Sequence, residues 1–295
     1  MKHLLLSGSV ARRACPVPAA LPVVMPRVTP RMMPTVRAFA AAVLLGGAQA
    51  AWAQGFDSVR LFGAAPGKDG GTVGVALISG ARYAGSDERR VMLLPTLDYQ
   101  WANGFFAGVG NGVGYNFSTQ PGLSYGVRLT ADFGRKESRS NALRGMGDID
   151  ASAQLGAFFN YSLTRSVSLT SSLRYGSGND NKGLLLDLGL GTGRMLAPQW
   201  RVGANVGATL ANAQYQQSYF GVSRTQAARS GYRTYTPGAG VRDMRVGVSL
   251  THIINPRLTM TGGLSVSSLL GDAKDSPLTK QATTANGLVV LGYGF

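Results

Sequence analysis

Arginine and aspartate side chains recur at the polar positions of segments in which every second residue is apolar. The arginines are Arg128, Arg174, Arg201 and Arg245, and the aspartates are Asp98, Asp132, Asp187 and Asp243. If these segments are strands, the eight side chains share one face of the sheet. Opposite charges in a narrow space pair with one another and fill it, whereas rings of charge line pores and select ions. The spacing therefore predicts either a charge network that plugs a lumen or a constriction selective for anions.

Residue types that commonly carry catalysis are sparse. His252 is the only histidine beyond the predicted leader, and the only glutamates are Glu88 and Glu137, both in predicted loops. A nucleophile needs a base that activates it, and a metal needs several ligands at short spacings. Neither pattern occurs, so we predict no enzymatic activity, no metal and no cofactor. His252 shares one strand face with Leu250 and Ile254, which predicts that its amphipathic imidazole lies at a membrane surface.

Two predicted loops carry candidate contact residues. The first is basic, and Arg135, Lys136, Arg139 and Arg144 could bridge the phosphates of lipopolysaccharide. A merely solvated loop is the alternative. The second and longest loop holds Tyr219 and Phe220 among further tyrosines and arginines, a composition that suits a contact surface. For this loop the alternative is that it folds back into the mouth of a barrel.

The elements that must position these residues have a period of two from Thr72 onward. One example is the apolar series Leu123, Tyr125, Val127, Leu129, Ala131 and Phe133. Small or polar residues lie between its members, as in Ser124, Gly126, Arg128, Thr130 and Asp132. Such segments reach the roughly 9–11 residues of a membrane-crossing strand. Small, glycine-rich residues on the other face suit the wall of a closed barrel, with the apolar face toward lipid.

The predicted fold is an all-β transmembrane antiparallel barrel of twelve strands, with ten as the alternative and a largely filled lumen. Eleven strands follow from Thr72, and Ser58–Ala64 is the candidate for the twelfth. Counting back from the C-terminus gives short periplasmic turns and long external loops. Near the start, Ala102–Asn103 is then an external turn and Gly80–Arg89 a periplasmic connection. Residues 104–117 are predicted to form one strand, which ends at the short turn Ser118–Pro121. Because a water-filled passage typically needs roughly 16–18 strands, this strand number favours the plug.

The chain ends with Leu291, Tyr293 and Phe295 on one face of a strand, and Phe295 is the last residue. An aromatic C-terminus of this kind resembles that of Gram-negative outer-membrane barrels. The resemblance implies an assembly signal that the barrel assembly machinery reads. It also implies that the protein resides in the cell outer membrane.

Residues 1–53 are predicted to be an N-terminal extension followed by a secretory signal peptide, and residues 54–295 the barrel. Arg37 precedes the apolar stretch, and Ala51-Trp52-Ala53 provides a small-x-small cleavage site. We hypothesise that translation starts at Met32 or Met33, which leaves a leader of ordinary length. The single cysteine, Cys15, lies in the leader, so we predict no disulfide.

The charge of the mature chain is positive. Six of the 29 basic residues lie in the leader, so 23 remain against 14 acidic residues, a net charge of +9. For an exported chain this balance favours lipid phosphate or lipopolysaccharide as the neighbour, and we predict no nucleic-acid partner.

Segments of the chain resemble the MipA/OmpV family of outer-membrane proteins. The matching pieces are Tyr83-Ala84-Gly85-Ser86, Leu94-Pro95, Gly134-Arg135, Glu137-Ser138, Leu143, Gly145, Gly147-Asp148, Tyr219-Phe220-Gly221-Val222, Leu270-Gly271-Asp272-Ala273, Ser276-Pro277 and Gly292-Tyr293-Gly294-Phe295. The resemblance implies a scaffold that joins a lytic transglycosylase to a penicillin-binding protein in peptidoglycan growth. Other members look like adhesins, and a small-solute or anion channel is the third possibility. The family offers no catalytic residues to transfer.

Overall fold

The computed structural model describes residues 67–295. The predicted signal peptide and the candidate strand Ser58–Ala64 lie outside these residues. Twelve antiparallel strands occur in the described part. They are β1 Gly70–Ala81, β2 Arg89–Gln100, β3 Phe105–Gly108, β4 Gly112–Asn116, β5 Leu123–Asp132, β6 Ser152–Ser162, β7 Val167–Ser177, β8 Gly183–Ala197, β9 Trp200–Ala211, β10 Gly240–Ile253, β11 Leu258–Leu269 and β12 Thr283–Gly294.

Each strand pairs with its neighbours in sequence, and β1 also pairs with β12, so the sheet closes into a barrel. This confirms the predicted twelve-stranded closed barrel. Three helices lie in the connections: α1 Ala213–Phe220, α2 Arg224–Ser230 and α3 Gly271–Lys274. Two 3-10 turns, Glu137–Arg139 and Asn141–Leu143, lie between β5 and β6. None of the described helices is long and apolar enough to cross a membrane.

The apolar residues of the alternating pattern point outward. Leu93 and Leu155 are 68% and 66% exposed, and Val127 and Leu129 on β5 are also exposed. Arg128, between the last two, is buried. Large apolar side chains open to the surroundings on every side of a closed barrel require an apolar solvent, which is the hydrocarbon of a membrane.

The two ends of the barrel differ. Gly70 and Phe295 lie at one end, here called the terminal end, with the short turns 101–104, 117–122, 163–166, 198–199 and 254–257. The opposite end, here called the loop end, carries the connections 82–88, 133–151, 178–182, 212–239 and 270–282. The short reversal 109–111 lies within the wall instead, where Asn111 contacts Asp98. The predicted contrast between short turns and long loops therefore exists, with one exception at 109–111.

That exception corrects the sequence interpretation of the first strands, which treated residues 104–117 as one strand. The structure divides them into the paired strands β3 and β4. The reversal depends on Gly112, which has a φ of 74° and whose added Cβ would lie 2.1 Å from the Leu129 carbonyl oxygen. The twelfth strand comes from this division. Two connections consequently change ends: 101–104 lies at the terminal end and 82–88 at the loop end.

An aromatic belt surrounds the outer face of the wall at the terminal end. Ring centroids are 4.9 Å apart for Phe105 and Tyr115, 5.2 Å for Tyr115 and Phe117, and 4.8 Å for Tyr99 and Trp101. Aromatic rings collect where hydrocarbon meets head groups. The belt therefore marks one membrane interface on this barrel.

The interior is not uniformly small or charged, which departs from the sequence interpretation. Ala76 and Ile78 of β1 and Leu288 of β12 point inward, are buried and pack together, with Leu94 and Val290 against them. Part of the inner face of β12, β1 and β2 is thus apolar. Aliphatic contact fills that part of the lumen, whereas the ion pairs of the lumen lie on β7, β8 and β10.

Candidate functional site: a charged lumen beneath a packed cap

Four of the eight predicted lumen charges form one network. Arg174 Nη2 lies 2.7 Å from Asp187 Oδ2, and Arg245 lies 3.4 Å from Asp187 Oδ1 and 3.1 Å from Asp243 Oδ1. Thr209 Oγ1 donates a hydrogen bond of 2.8 Å to Asp187 Oδ1. Asp187 therefore accepts from β7 on one side of its own strand and from β9 and β10 on the other, and the network ties β7, β8, β9 and β10 together.

A fifth charge in this network, Arg242, escaped the sequence analysis. Strict alternation places it outward, with Met244 and Val246. A register shift between Val241 and Asp243 is a β-bulge, which places the adjacent residues Arg242 and Asp243 both inside. Arg242 pairs with Asp243 and donates to the Tyr215 hydroxyl. No local sequence signal distinguishes such a bulge from a regular strand.

The other predicted lumen residues lie apart from this network. Arg128 Nη2 donates a hydrogen bond of 2.7 Å to Ser172 Oγ, and Arg128 Cζ lies 5.8 Å from the centre of the Phe158 ring. Asp98, near the terminal end, accepts from Asn111 Nδ2 at 3.1 Å. Asp132 lies at the base of the cap and accepts from the Tyr219 hydroxyl at 2.7 Å.

Two adjoining chambers lie in the lumen between the charge network and the terminal end. The larger has a cavity volume of about 250 Å³ and contacts Asp187 and Arg245. The smaller, of about 190 Å³, reaches the turn at Arg165. Arg201 lines both chambers. The lumen is therefore closed toward the loop end and holds space toward the terminal end, so its filling is uneven.

The loop end is covered by connections that pack on one another, here called the cap and formed by 82–88, 133–151, 212–239 and 270–282. Its most buried side chains are Leu143, Ile149, Phe220, Val222, Ala273 and Leu278, each 0–1% exposed. Ser276 Oγ donates 2.6 Å to the Phe220 carbonyl, and the Tyr83 hydroxyl donates 2.9 Å to the Leu278 carbonyl. Separate connections thus hold each other in place.

The longest loop folds back into the barrel mouth, which was the alternative to a free contact surface. Asn212 begins α1 by accepting from the Tyr215 amide, so the helix starts directly at the end of β9. Tyr215 and Tyr219 stack with ring centroids 4.5 Å apart, and Phe220 is buried between the cap and the wall. Tyr219 and Phe220 are therefore interior residues of the closed cap.

Arg135 is an interior residue of the cap as well. It is 3% exposed, and its Nη1 donates 2.6 Å to the Tyr219 carbonyl. Burial is the main cause that lowers the pKa of Arg135 to about 10, with neighbouring tyrosines opposing the shift. Burial likewise raises the pKa of Tyr83 and of Tyr219 above the usual value of 10. A cation in this position orders the loop, and it is not available to a lipid phosphate while the cap is closed.

The remaining basic candidates differ in exposure. Lys136 is exposed but pairs with Asp150 at 2.8 Å and Asp148 at 3.1 Å, and these partners raise its pKa. Arg139 is partly buried and its carbonyl accepts from Arg82 at 3.1 Å. Arg144 is exposed and has only a long contact of 3.4 Å to Asn141. Lipopolysaccharide contact through Lys136 and Arg144 stays a prediction.

Several residues that carry the family resemblance hold this loop together. Glu137 Oε1 accepts from the Gly145 amide at 2.9 Å, and its Oε2 accepts from the Gly147 amide at 2.7 Å. These two backbone hydrogen bonds lower the pKa of Glu137. Asp148 accepts from the Glu137 amide at 2.8 Å. One carboxylate therefore organises this turn.

His252 lies on the outer face, as predicted, and stacks on Trp200 with a centroid distance of 4.3 Å and an interplanar angle of 8°. It belongs to the aromatic belt at the terminal end. Among residues 67–295, no three His, Cys, Asp or Glu side chains come together as a metal site would require.

The C-terminal residues predicted to form an assembly signal lie on the outer face of β12. Leu291, Tyr293 and Phe295 are 46%, 42% and 59% exposed. β12 pairs with β11 and β1, and Phe295 exchanges two backbone hydrogen bonds of 3.0 Å with Gly71. The last residue thus takes part in barrel closure, and its role as a signal stays a prediction.

Comparison with solved structures finds outer-membrane barrels at low similarity. The NanC porin is 8% identical over 74% of this chain and 98% of that chain, with a TM-score of 0.44. A bacterial polysaccharide outer membrane secretin is 11% identical over 76% of this chain and 98% of that chain, with a TM-score of 0.45. An outer membrane channel from Pseudomonas putida F1 is 11% identical over 81% of this chain and 99% of that chain, with a TM-score of 0.43.

Among curated proteins, no relative matches this chain. The family described as MltA-interacting protein MipA matches residues 73–295, which is the described barrel almost from end to end. The closed barrel, its lipid-compatible outer face and this match agree in placing the protein in the outer membrane. The chain is an outer-membrane β-barrel that belongs to the MipA family.

Proposed function

We propose that this protein is a non-enzymatic interaction protein, whose terminal end binds a peptidoglycan-remodelling enzyme in the periplasm. The description of its family names an interaction with MltA. A lytic transglycosylase is therefore the first partner class, and a penicillin-binding protein is the second. The observation that carries the proposal is the contrast between the two ends: the cap closes the loop end over the lumen, whereas short turns with exposed basic residues form the rim of the terminal end.

The chemistry of that rim supports a protein or polymer partner with negative charge. Arg165, Arg194 and Arg257 are exposed at the terminal end, together with Lys68. Asp69, the acidic residue beside Lys68, is engaged by the Ala102 amide at 2.9 Å. Rim charges of one sign speed the encounter with a partner of opposite sign and suppress others. Because short turns of bacterial barrels face the periplasm, this basic rim suits a periplasmic partner.

The closed lumen weighs against a channel as the main function. A passage would have to cross the ion pairs around Asp187 and then the buried side chains of the cap, such as Phe220. Binding at a rim needs only a rigid wall and exposed turns, and a closed barrel supplies both.

The test is a pull-down from detergent extracts with an immobilised lytic transglycosylase from the same host, followed by cross-linking and mass spectrometry. The rim variant Arg165→Glu with Arg257→Glu is compared with the loop-end variant Arg224→Glu with Arg229→Glu, which makes the same charge change. We expect enrichment of the wild type over an unrelated barrel, loss with the rim variant, retention with the loop-end variant, and cross-links at turns of the terminal end.

Two outcomes would overturn this proposal. Equal recovery of an unrelated barrel would remove the enzyme partner. Binding that is lost only with the loop-end variant would instead assign the interaction to the cap, as in an adhesin. Heat-modifiable mobility of every variant on gels verifies that the barrel is folded before binding is compared.

A further inference from the structure

The two lumen chambers adjoin each other and share part of their lining. Ser168, Gly191, Arg201 and Asn205 line both of them. The smaller chamber reaches the turn at Arg165, and the larger extends to Asp187 and Arg245. A solute that enters from the terminal end therefore meets polar walls first and a closed layer of ion pairs at the bottom.

The walls of this space suit a sugar. Ser168, Thr170, Asn160 and Asn205 offer hydroxyl and amide groups that both donate and accept hydrogen bonds, as sugar hydroxyls do. Phe158 adds an aromatic surface to the larger chamber, against which the apolar face of a sugar ring can pack. A cleft with convergent polar groups and an aromatic surface is the usual form of a small-molecule site.

The charge of the space selects an acidic solute. Among residues 67–295, Asp187 is the only acidic residue that lines the two chambers, and Arg174, Arg245 and Thr209 already engage it. Arg201 faces both chambers and makes no ion pair with any residue that the structure describes. An arginine binds a carboxylate through two parallel N–H groups, which gives both affinity and orientation.

Gly193 makes room for this guanidinium. A Cβ added at Gly193 would lie 2.8 Å from Arg201 Nη2 and 3.1 Å from its Nε. From these contacts we infer that the lumen is a blind binding site for a small sugar that carries a carboxylate, with Arg201 as the carboxylate ligand. The site opens at the terminal end. This inference does not depend on the enzyme partner, because calorimetry and the pull-down can fail separately.

The experiment is isothermal titration of the detergent-purified protein with N-acetylmuramic acid and with N-acetylglucosamine, which lacks the lactyl carboxylate. We expect the acid to bind and the neutral sugar to bind at least about tenfold more weakly, as for a hydrogen bond to a charged group. Arg201→Gln should lower the affinity for N-acetylmuramic acid by a similar factor and leave the affinity for N-acetylglucosamine unchanged. Arg194→Gln, one position before the bulged end of β8 and exposed, is the matched control and should retain affinity.

Several results would overturn the inference. They are no heat of binding with the acid at millimolar concentration, equal binding of the two sugars, or equal losses for Arg201→Gln and Arg194→Gln. Inorganic phosphate is the third ligand: if it binds as tightly as the acid, the site takes any anion and the sugar part is wrong. Gly193→Leu, whose side chain displaces the Arg201 guanidinium, should weaken the binding of N-acetylmuramic acid as Arg201→Gln does.

Discussion

At the residue scale, Asp187 matters most to the interior. Its two carboxylate oxygens serve Arg174, Arg245 and Thr209 at 2.7, 3.4 and 2.8 Å. Arg245 also pairs with Asp243, and Asp243 pairs with Arg242, so the ion pairs form one connected network. In a space shielded from water each arginine depends on a shared counterion, and loss of one carboxylate leaves two cations facing each other.

Asp187→Asn should therefore destabilise the barrel strongly. Removing one partner of a buried ion pair costs about 3–5 kcal/mol. We expect a marked fall in the temperature at which half of the protein changes mobility on gels after a fixed heating time. Asp180→Asn, in the exposed connection between β7 and β8, is the control and should leave that temperature unchanged. Equal temperatures for Asp187→Asn and the wild type would show that the network does not stabilise the wall.

Glu137 gives the cap a dependence on pH. Hydrogen bonds from Gly145 and Gly147 hold its pKa below the usual value of 4.5. A lowered folded pKa means that the stabilisation is complete above pH 4.5 and is lost as the pH falls through the lower folded value. We expect hydrogen–deuterium exchange in 137–148, corrected for the intrinsic pH effect, to rise several-fold on acidification below that pH.

Glu137→Gln should raise the exchange of the same peptide at neutral pH and weaken its response to acid. Some response should remain, because hydrogen bonds also lower the pKa of Asp148. Asp87→Asn, exposed in a neighbouring connection, is the control variant. If Glu137→Gln exchanges as slowly as the wild type at neutral pH, the carboxylate does not hold the turn.

At the scale of elements, the reversal between β3 and β4 determines the number of strands and the end of the barrel at which each connection lies. A turn of three residues, Val109–Asn111, divides what reads as one alternating segment. Alternation continues through this turn in the sequence, so periodicity alone gives no boundary. The positive φ of Gly112 and its approach to the carbonyl of Leu129 show why glycine is needed there.

Gly112→Ala should destabilise the barrel by about 1–3 kcal/mol, because the new Cβ meets a backbone oxygen in a left-handed conformation. The measurement is the half-transition temperature for mobility change on gels, together with the yield of folded protein from refolding into detergent. Gly110→Ala in the same turn is the matched control, since a Cβ there has no neighbour within 4 Å. Similar losses for both variants would contradict the assigned turn geometry.

At the scale of the whole molecule, the two ends have different roles. The loop end is closed by a cap in which separate connections bury one another's side chains. The terminal end has short turns, exposed basic residues and the aromatic belt. The cap thus closes the loop end, the two lumen chambers extend toward the terminal end, and the rim is the docking surface that we propose.

Single cysteines can verify which end faces the cell exterior. In a Cys15→Ser background, we expect Ala228→Cys on the cap to react with a membrane-impermeant maleimide on intact cells, because short turns face the periplasm. Arg165→Cys at the terminal end should react only after the outer membrane is permeabilised. Both positions are exposed, so access alone separates them. The reverse labelling pattern would invert the orientation and with it the proposed periplasmic partner.

Motif segments of the sequence predicted the family. The sequence alone also predicted the closed antiparallel barrel and the outward face of most strands. These follow from local alternation, because each residue on a strand points opposite to its neighbour whatever the distant contacts are. The inward positions of Arg174, Asp187 and Arg245 were predictable for that reason. The predicted number of strands, twelve, was correct, although the prediction placed one strand at Ser58–Ala64, outside the described residues, and did not divide residues 104–117.

Only the tertiary structure decided the rest. Arg242 turns inward through a bulge, Tyr219 and Phe220 fold into the cap, and Ala76, Ile78 and Leu288 fill part of the lumen. Each depends on residues brought together from distant parts of the chain, and local periodicity carries no information about such contacts. The closed lid, the blind chamber and the end at which each connection lies are therefore properties of packing, which emerge when the wall closes.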